Sequence, residues 1–112
     1  MLSKDLVAAS SRPLVLSILS KNESYGYEIL KTIKERSKQQ IEWKDGMIYP
    51  LLRKLENDDL IESFWNTADS GRKRKYYRIK TAGKIYLAEQ KKQWALINSV
   101  LDQLWEDDLC LS

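Results

Sequence analysis

Apolar residues recur every three or four positions from Tyr25 to Ile33 and again from Ile48 to Leu55, and then the period drops to two. A period near 3.6 lays one apolar stripe along a helix, whereas a period of two lays one apolar face along a strand. The chain must therefore change from helix to hairpin beyond its middle, and few small folds accommodate that order.

The elements read as follows. Leu2 to Ala9 form a short helix or arm. "SRPLVLSILS" predicts a helix start, with Ser11 or Arg12 as cap and Pro13 at the first helical position. Leu14, Leu16, Ile18 and Leu19 make this helix apolar on most sides, and Asn22 closes it. "SYGYEILKTIKERSKQ" predicts a second helix capped by Ser24, with Glu28 near its positive end and "SKQQ" stopping it. "KDGMIYPLLRKLENDDL" predicts a third, capped by Asp45, with Ile48, Leu51, Leu52 and Leu55 as its stripe. Pro50 is placed near the end of its first turn, where a missing N–H costs little.

"LIESFW" and "KYYRI" have strand character, and "NTADSGRKR" between them predicts a hairpin with a long basic tip. In the second strand, alternation puts Tyr77 and Ile79 on one face and Tyr76 and Arg78 on the other. From Thr81 a helical pattern runs to about Asp107, with Trp94, Ile97, Leu101 and Leu104 at its centre. At ~1.5 Å per residue it would be about 40 Å long. That is more than a domain of this size covers by itself, and a second copy of the chain is the simplest partner. The fold class expected is mostly α with a β-hairpin, in the order α-α-α-β-β-α. That order predicts a winged helix-turn-helix over residues 1–80, a fold that commonly binds DNA, and a C-terminal dimerisation helix over 81–112.

Charge sharpens this. The 112 residues carry a net charge of only +3, but unevenly. Between Asp69 and Lys92 nine cations face two anions, whereas Asp102, Glu106, Asp107 and Asp108 end the chain without a cation. Four cations run unbroken from Arg72 to Lys75. Such a segment either solvates a hairpin tip or meets an acidic partner. Its place on a hairpin behind a helix pair favours double-stranded DNA. In a winged helix-turn-helix the second helix of the pair enters the major groove, and the wing lies along the backbone or in the minor groove. Arginine suits a narrow, negative minor groove, which points to Arg72 and Arg74 beside Lys73 and Lys75. A membrane surface is disfavoured, because the apolar stripe of the last helix adjoins anions rather than lysines.

Catalysis has little to stand on. The chain has no histidine, a single cysteine and no glycine-rich phosphate loop. Asp58 and Asp59 are adjacent without an aligned base or nucleophile. No enzyme activity, metal or cofactor is expected. One cysteine excludes an internal disulfide and fits a reducing compartment, so Cys110 is either inert or bridges two chains. The N-terminus shows no signal pattern and no stretch is long enough to span a membrane, which predicts a cytoplasmic protein.

Three stretches resemble the PadR-type transcriptional regulators over nearly the whole chain. "YGYEILKTIKE" resembles that family's second helix. "GMIYPLLRKLENDDLIES" resembles its recognition helix and first wing strand. "SGRKRKYYRIKTAG" resembles its wing, second strand and the start of the last helix. Met47 departs from a usual threonine, which puts a hydroxyl contact to DNA in question, and Asp59 departs from a usual glycine.

The resemblance implies roles. Tyr25 and Tyr27 would lie near the DNA backbone, Tyr25 alternatively in the core. Tyr49, Arg53 and Lys54 would lie on the recognition helix, with Arg53 either on DNA or in a surface pair with Glu56 or Asn57. Trp94 matches a tryptophan that in several members borders a central pore for flat aromatic compounds. Ile97 and Asn98 would line that pore, with helix one from Leu6 to Leu14 opposite. Trp94 alternatively packs the dimer interface with Leu6, Ile97, Leu101 and Leu104. The function expected is a homodimeric repressor that reads a pseudo-palindromic operator and answers to a planar aromatic effector. The alternative is a DNA-binding or protein-docking module with no small-molecule effector.

Overall fold

The structure is a computed structural model describing residues 2–67 and 69–111, the last four as helical backbone alone. The side chains of Asp108 and Cys110, to which sequence assigned an acidic end and a lone thiol, lie outside the described residues. In chain order the elements are α1 (Lys4–Lys21), β1 (Ser24–Tyr25), α2 (Gly26–Arg36), α3 (Asp45–Asn57), β2 (Ile61–Thr67), β3 (Lys73–Ile79) and α4 (Thr81–Leu111). The strands form one antiparallel sheet in the order β1-β3-β2. This is the winged-helix arrangement the period change called for, with one strand more.

α1 differs from the expectation. It does not begin at Pro13 but at Lys4, and Pro13 lies inside it. Ser3 is its cap, the Oγ accepting the Leu6 N–H at 3.2 Å. An interior proline costs about 3 kcal/mol. Burial of Val15, Leu16 and Leu19 just beyond it offsets that cost, together with the tether of Arg12 to Asp58 at 3.0 Å. Arg12, read as a cap, is thus a mid-helix link to the end of α3.

Ser24 is not the cap of α2 either. It is buried in β1, paired with Tyr77, and its hydroxyl donates to Glu28 Oε1 at 2.6 Å. The extended Tyr25 occupies the cap position without a side-chain bond. At α3 the cap is Lys44, and Asp45 is the first helical residue, where its charge still favours the helix dipole. Pro50 is therefore the sixth helical residue, in the second turn. The carbonyl it leaves unbonded belongs to the exposed Gly46, where water can reach it.

The core draws on every helix. Val15, Leu16 and Leu19 meet Ile29 and Ile33 of α2, Ile48, Leu52 and Leu55 of α3, Ile61 and Tyr77 of the sheet, and Leu87 of α4. The turn from α3 into β2 passes through Asp59 in the left-handed region, at φ 64°. Leu60 closes that turn on Leu55, and α4 starts directly against it. A side chain at Gly83 would stand 2.1 Å from the Leu60 carbonyl oxygen.

α4 then leaves the body. Its first half packs on α1, while Leu96, Ile97, Val100, Leu104 and Trp105 are exposed. The longest dimension of the molecule, 62 Å against 29 and 21 Å, reflects this projection.

Candidate nucleic-acid interface

The wing is longer and more regular than its polar tip suggested. β2 runs to Thr67 and β3 starts at Lys73, so only a short turn around Gly71 (φ 83°) joins them. Three of the four consecutive cations are strand residues, and alternation divides them. Lys73 and Lys75 share the face of Tyr77, whereas Arg74 shares the face of Tyr76 and Arg78.

The Arg74 face is an aromatic ladder. The Arg74 guanidinium lies 4.5 Å over the Tyr25 ring. Tyr25 meets Tyr76 edge-on at 5.1 Å, Tyr76 stacks on Phe64 at 5.8 Å, and Arg78 covers Phe64 at 4.4 Å. Arg78 is neutralised by Glu62 at 2.8 Å and Glu23 at 3.4 Å. Among the described residues Arg72, Lys73, Arg74 and Lys75 have no carboxylate partner.

These cations border an open cleft of about 450 Å3 lined by Tyr25, Gly26, Tyr27, Tyr49, Arg72, Lys73, Arg74 and Lys75. It joins the start of α2, the middle of α3 and the wing. Tyr27 and Tyr49 are exposed in it. Tyr49 reaches it because α2 begins with glycine: a Cβ on Gly26 would stand 2.7 Å from the Tyr49 ring. Cations and phenol hydroxyls converging on one open cleft suit a polyanion's phosphate oxygens.

The other residues singled out from sequence lie outside the cleft. Arg53 and Lys54 are exposed on α3, and among the described residues neither forms an ion pair, so the Arg53–Glu56 pairing is not formed. The Glu56 carboxylate accepts instead from the Ser63 hydroxyl at 2.5 Å. Met47 is half-buried against the core. Tyr77 is buried as expected. Burial, with Glu56 and Tyr49 adding, pushes its phenol above the ordinary value of 10.0, so it stays neutral beside the cleft. Two residues went unremarked in the sequence, Gly26 and Trp65. A glycine between two tyrosines carries no periodic signal, and Trp65 reads as any strand aromatic.

Between α1 and α4, Trp94 is half-buried and lines an almost wholly apolar cavity of about 250 Å3 with Ser10, Pro13, Leu14, Ser17, Leu87 and Lys91. α1 does face Trp94. Ile97 and Asn98 do not line this cavity, and they are exposed, as are Leu6 and Leu104, with Leu101 half-buried. Asp58 and Asp59 each pair with a cation at 3.0 Å, to Arg12 and Lys80. Among the described residues no group of carboxylates and thiols is placed to hold a metal ion, and no helix is long and apolar enough to cross a membrane.

A helix pair, a basic wing and a cleft of cations and phenols between them define a winged-helix DNA-binding protein. Residues 15–89 match the transcriptional regulator PadR-like family, and the chain belongs to it. An uncharacterised protein of Lysinibacillus sphaericus is 32% identical over 106 residues, which are 95% of this chain and 97% of that one. A transcriptional regulator from Clostridium thermocellum superposes with a TM-score of 0.82 at 28% identity, over 92% of this chain and 97% of that one. A PadR-like transcriptional regulator from Bacillus cereus superposes with a TM-score of 0.81 at 30% identity, over 90% and 96%. The chain is thus a DNA-binding transcriptional regulator, a family that is not enzymatic.

Proposed function

We propose that two copies of this chain form a repressor that reads a pseudo-palindromic operator. The observation that carries this is the cleft uniting Tyr27 and Tyr49 with the cations Arg72 to Lys75, which have no carboxylate partner among the described residues. In this reading residues 1–80 are the DNA-binding unit and 81–112 the dimerisation helix. α3 enters the major groove with Tyr49, Arg53 and Lys54, and the wing takes the flanking backbone. Tyr25 acts through Arg74, and Tyr27 meets phosphate.

The second copy is supported by the uncovered face of α4. Ile97, Leu101 and Leu104 with Leu6 would close against the partner's equivalents, which removes an apolar patch no lone soluble chain keeps cheaply. Two α3 helices then stand one duplex turn apart, ~34 Å. A planar aromatic effector would stack on Trp94 in its apolar cavity. It weakens operator binding only if it prefers the spacing that does not fit DNA. In the dimer Ile97 and Asn98 would extend that cavity.

The test is a fluorescence-anisotropy titration with the duplex upstream of the protein's own gene and a shuffled duplex of equal composition. Much tighter binding to the first supports the reading, and equal weak binding to both counts against a local operator. Light scattering reads the dimer. Effector action is read as release of the duplex by planar aromatic compounds, abolished in Trp94→Ala.

A further inference from the structure

Trp65 is 67% exposed near the outer end of β2. The other wing aromatics are covered: Phe64 by Tyr76 and Arg78, Tyr76 by Tyr25, and Tyr77 by the core. An indole left open on a projecting hairpin exposes a large apolar surface that the fold does not use.

The register shows where it faces. Trp65 pairs directly with Lys75, and Ser63 pairs with Tyr77. Directly opposed residues share a face, so Ile61, Ser63, Trp65 and Thr67 lie with Lys73, Lys75, Tyr77 and Ile79. The inner end of that face is packed on the body: Ile61 and Tyr77 are buried, and Ser63 is bonded to Glu56 of α3. At its outer end Trp65, Thr67, Lys73 and Lys75 are all exposed. There Trp65 stands beside Lys75 and Lys73, both of which line the cleft with Tyr49. No acidic residue of the two strands lies on this face, and Glu56 of α3 meets only its inner end, at Ser63. Glu62, the single carboxylate of the two strands, points to the other side and is held by Arg78.

We infer that Trp65 packs on the sugar wall of the duplex minor groove beside the site read by α3. Its Nε1–H is then free to donate to a phosphate oxygen. This rests on the operator-binding reading above and adds to it an apolar contact within an otherwise ionic wing. The occupant follows from charge and continuity. A polyanion drawn to Lys73 and Lys75 and lying along α3 runs over Trp65, and deoxyribose C–H groups offer the apolar surface an indole needs between phosphates.

An apolar contact has a distinct signature, because it releases no counterions. The experiment compares Trp65→Ala, Trp65→Phe and Lys73→Ala with the wild-type chain on a labelled mixed-sequence duplex over a range of salt, with a single strand alongside. Trp65→Ala is expected to bind the duplex about tenfold more weakly with an unchanged salt slope. Lys73→Ala is expected to lower the slope by about one. Trp65→Phe keeps most of the affinity. Since the side chain is exposed, equal unfolding temperatures check that the fold is intact. In a parallel titration, duplex-induced quenching of tryptophan emission is expected to shrink in Trp65→Phe.

Wild-type affinity in Trp65→Ala, alongside a weakened Lys73→Ala, overturns this contact and leaves the operator-binding reading standing. A larger loss on the single strand than on the duplex also overturns it, and marks the indole as a base-stacking platform. Failure of the wild-type chain to bind any duplex overturns both.

Discussion

The guanidinium of Arg74 rests 4.5 Å above the ring of Tyr25. Two residues that each look like separate contacts to DNA are therefore in contact with each other. The pair joins the wing to the start of α2, and Tyr25 also bears edge-on against Tyr76. Contacts of these two kinds are worth roughly 0.5–1.5 kcal/mol apiece. Tyr25→Leu is expected to lower stability by about 1–2 kcal/mol and to weaken duplex binding, while Tyr25→Phe keeps both. Urea unfolding and anisotropy check this. Equal loss of affinity in both variants would show that the hydroxyl itself touches DNA.

Gly26 sets the position of Tyr49. With 2.7 Å between a Cβ there and the Tyr49 ring, Gly26→Ala must push the ring outward. A side-chain ring can give way where backbone cannot, so the fold is expected to survive with about 1 kcal/mol lost. Duplex affinity should fall several-fold. Tyr49→Ala alone and combined with Gly26→Ala forms the check: if Gly26 acts through Tyr49, the double variant is no weaker than Tyr49→Ala.

Gly83 offers no such relief. Its neighbours are the Leu60 carbonyl oxygen at 2.1 Å and the Ile79 side chain at 2.7 Å. Gly83→Ala is expected to lift the start of α4 off the α3–β2 turn and cost about 2–3 kcal/mol. Thermal unfolding measures it, at matched protein concentration because self-association would make Tm depend on concentration.

Asp59 pays a backbone cost that glycine avoids. At φ 64° its only described ion-pair partner is Lys80, and Asp59 itself is well exposed. An exposed pair contributes little. Asp59→Gly is expected to raise stability by roughly 0.5–1 kcal/mol in urea unfolding, and a lowered midpoint would show that the ion pair outweighs the strain.

Local pattern determined much of this protein. The change of hydrophobic period set three helices before a hairpin, the alternation in "KYYRI" put Tyr77 inward and Tyr76 outward, and the stripe from Trp94 to Leu104 marked a helix the body does not cover. Each follows from residues close in sequence sharing a face. The basic run was also legible as part of the candidate site, whereas the tyrosines at 25, 27 and 49 entered only through the resemblance to a known family.

Tertiary structure decided what depends on distant partners. β1 has two residues and no period, and it exists because Ser24 and Tyr25 pair with Tyr77 and Tyr76. α1 runs through Pro13 because burial beyond it outweighs one lost hydrogen bond, a balance no local rule contains. The cations at 73 to 75 divide between two faces only once β3 is extended to Lys73 by pairing with Thr67. Which cation meets Tyr25 and which stands beside Trp65 is then a matter of strand register. Register is set by packing across the sheet, since a slip of one residue would turn every side chain to the wrong face.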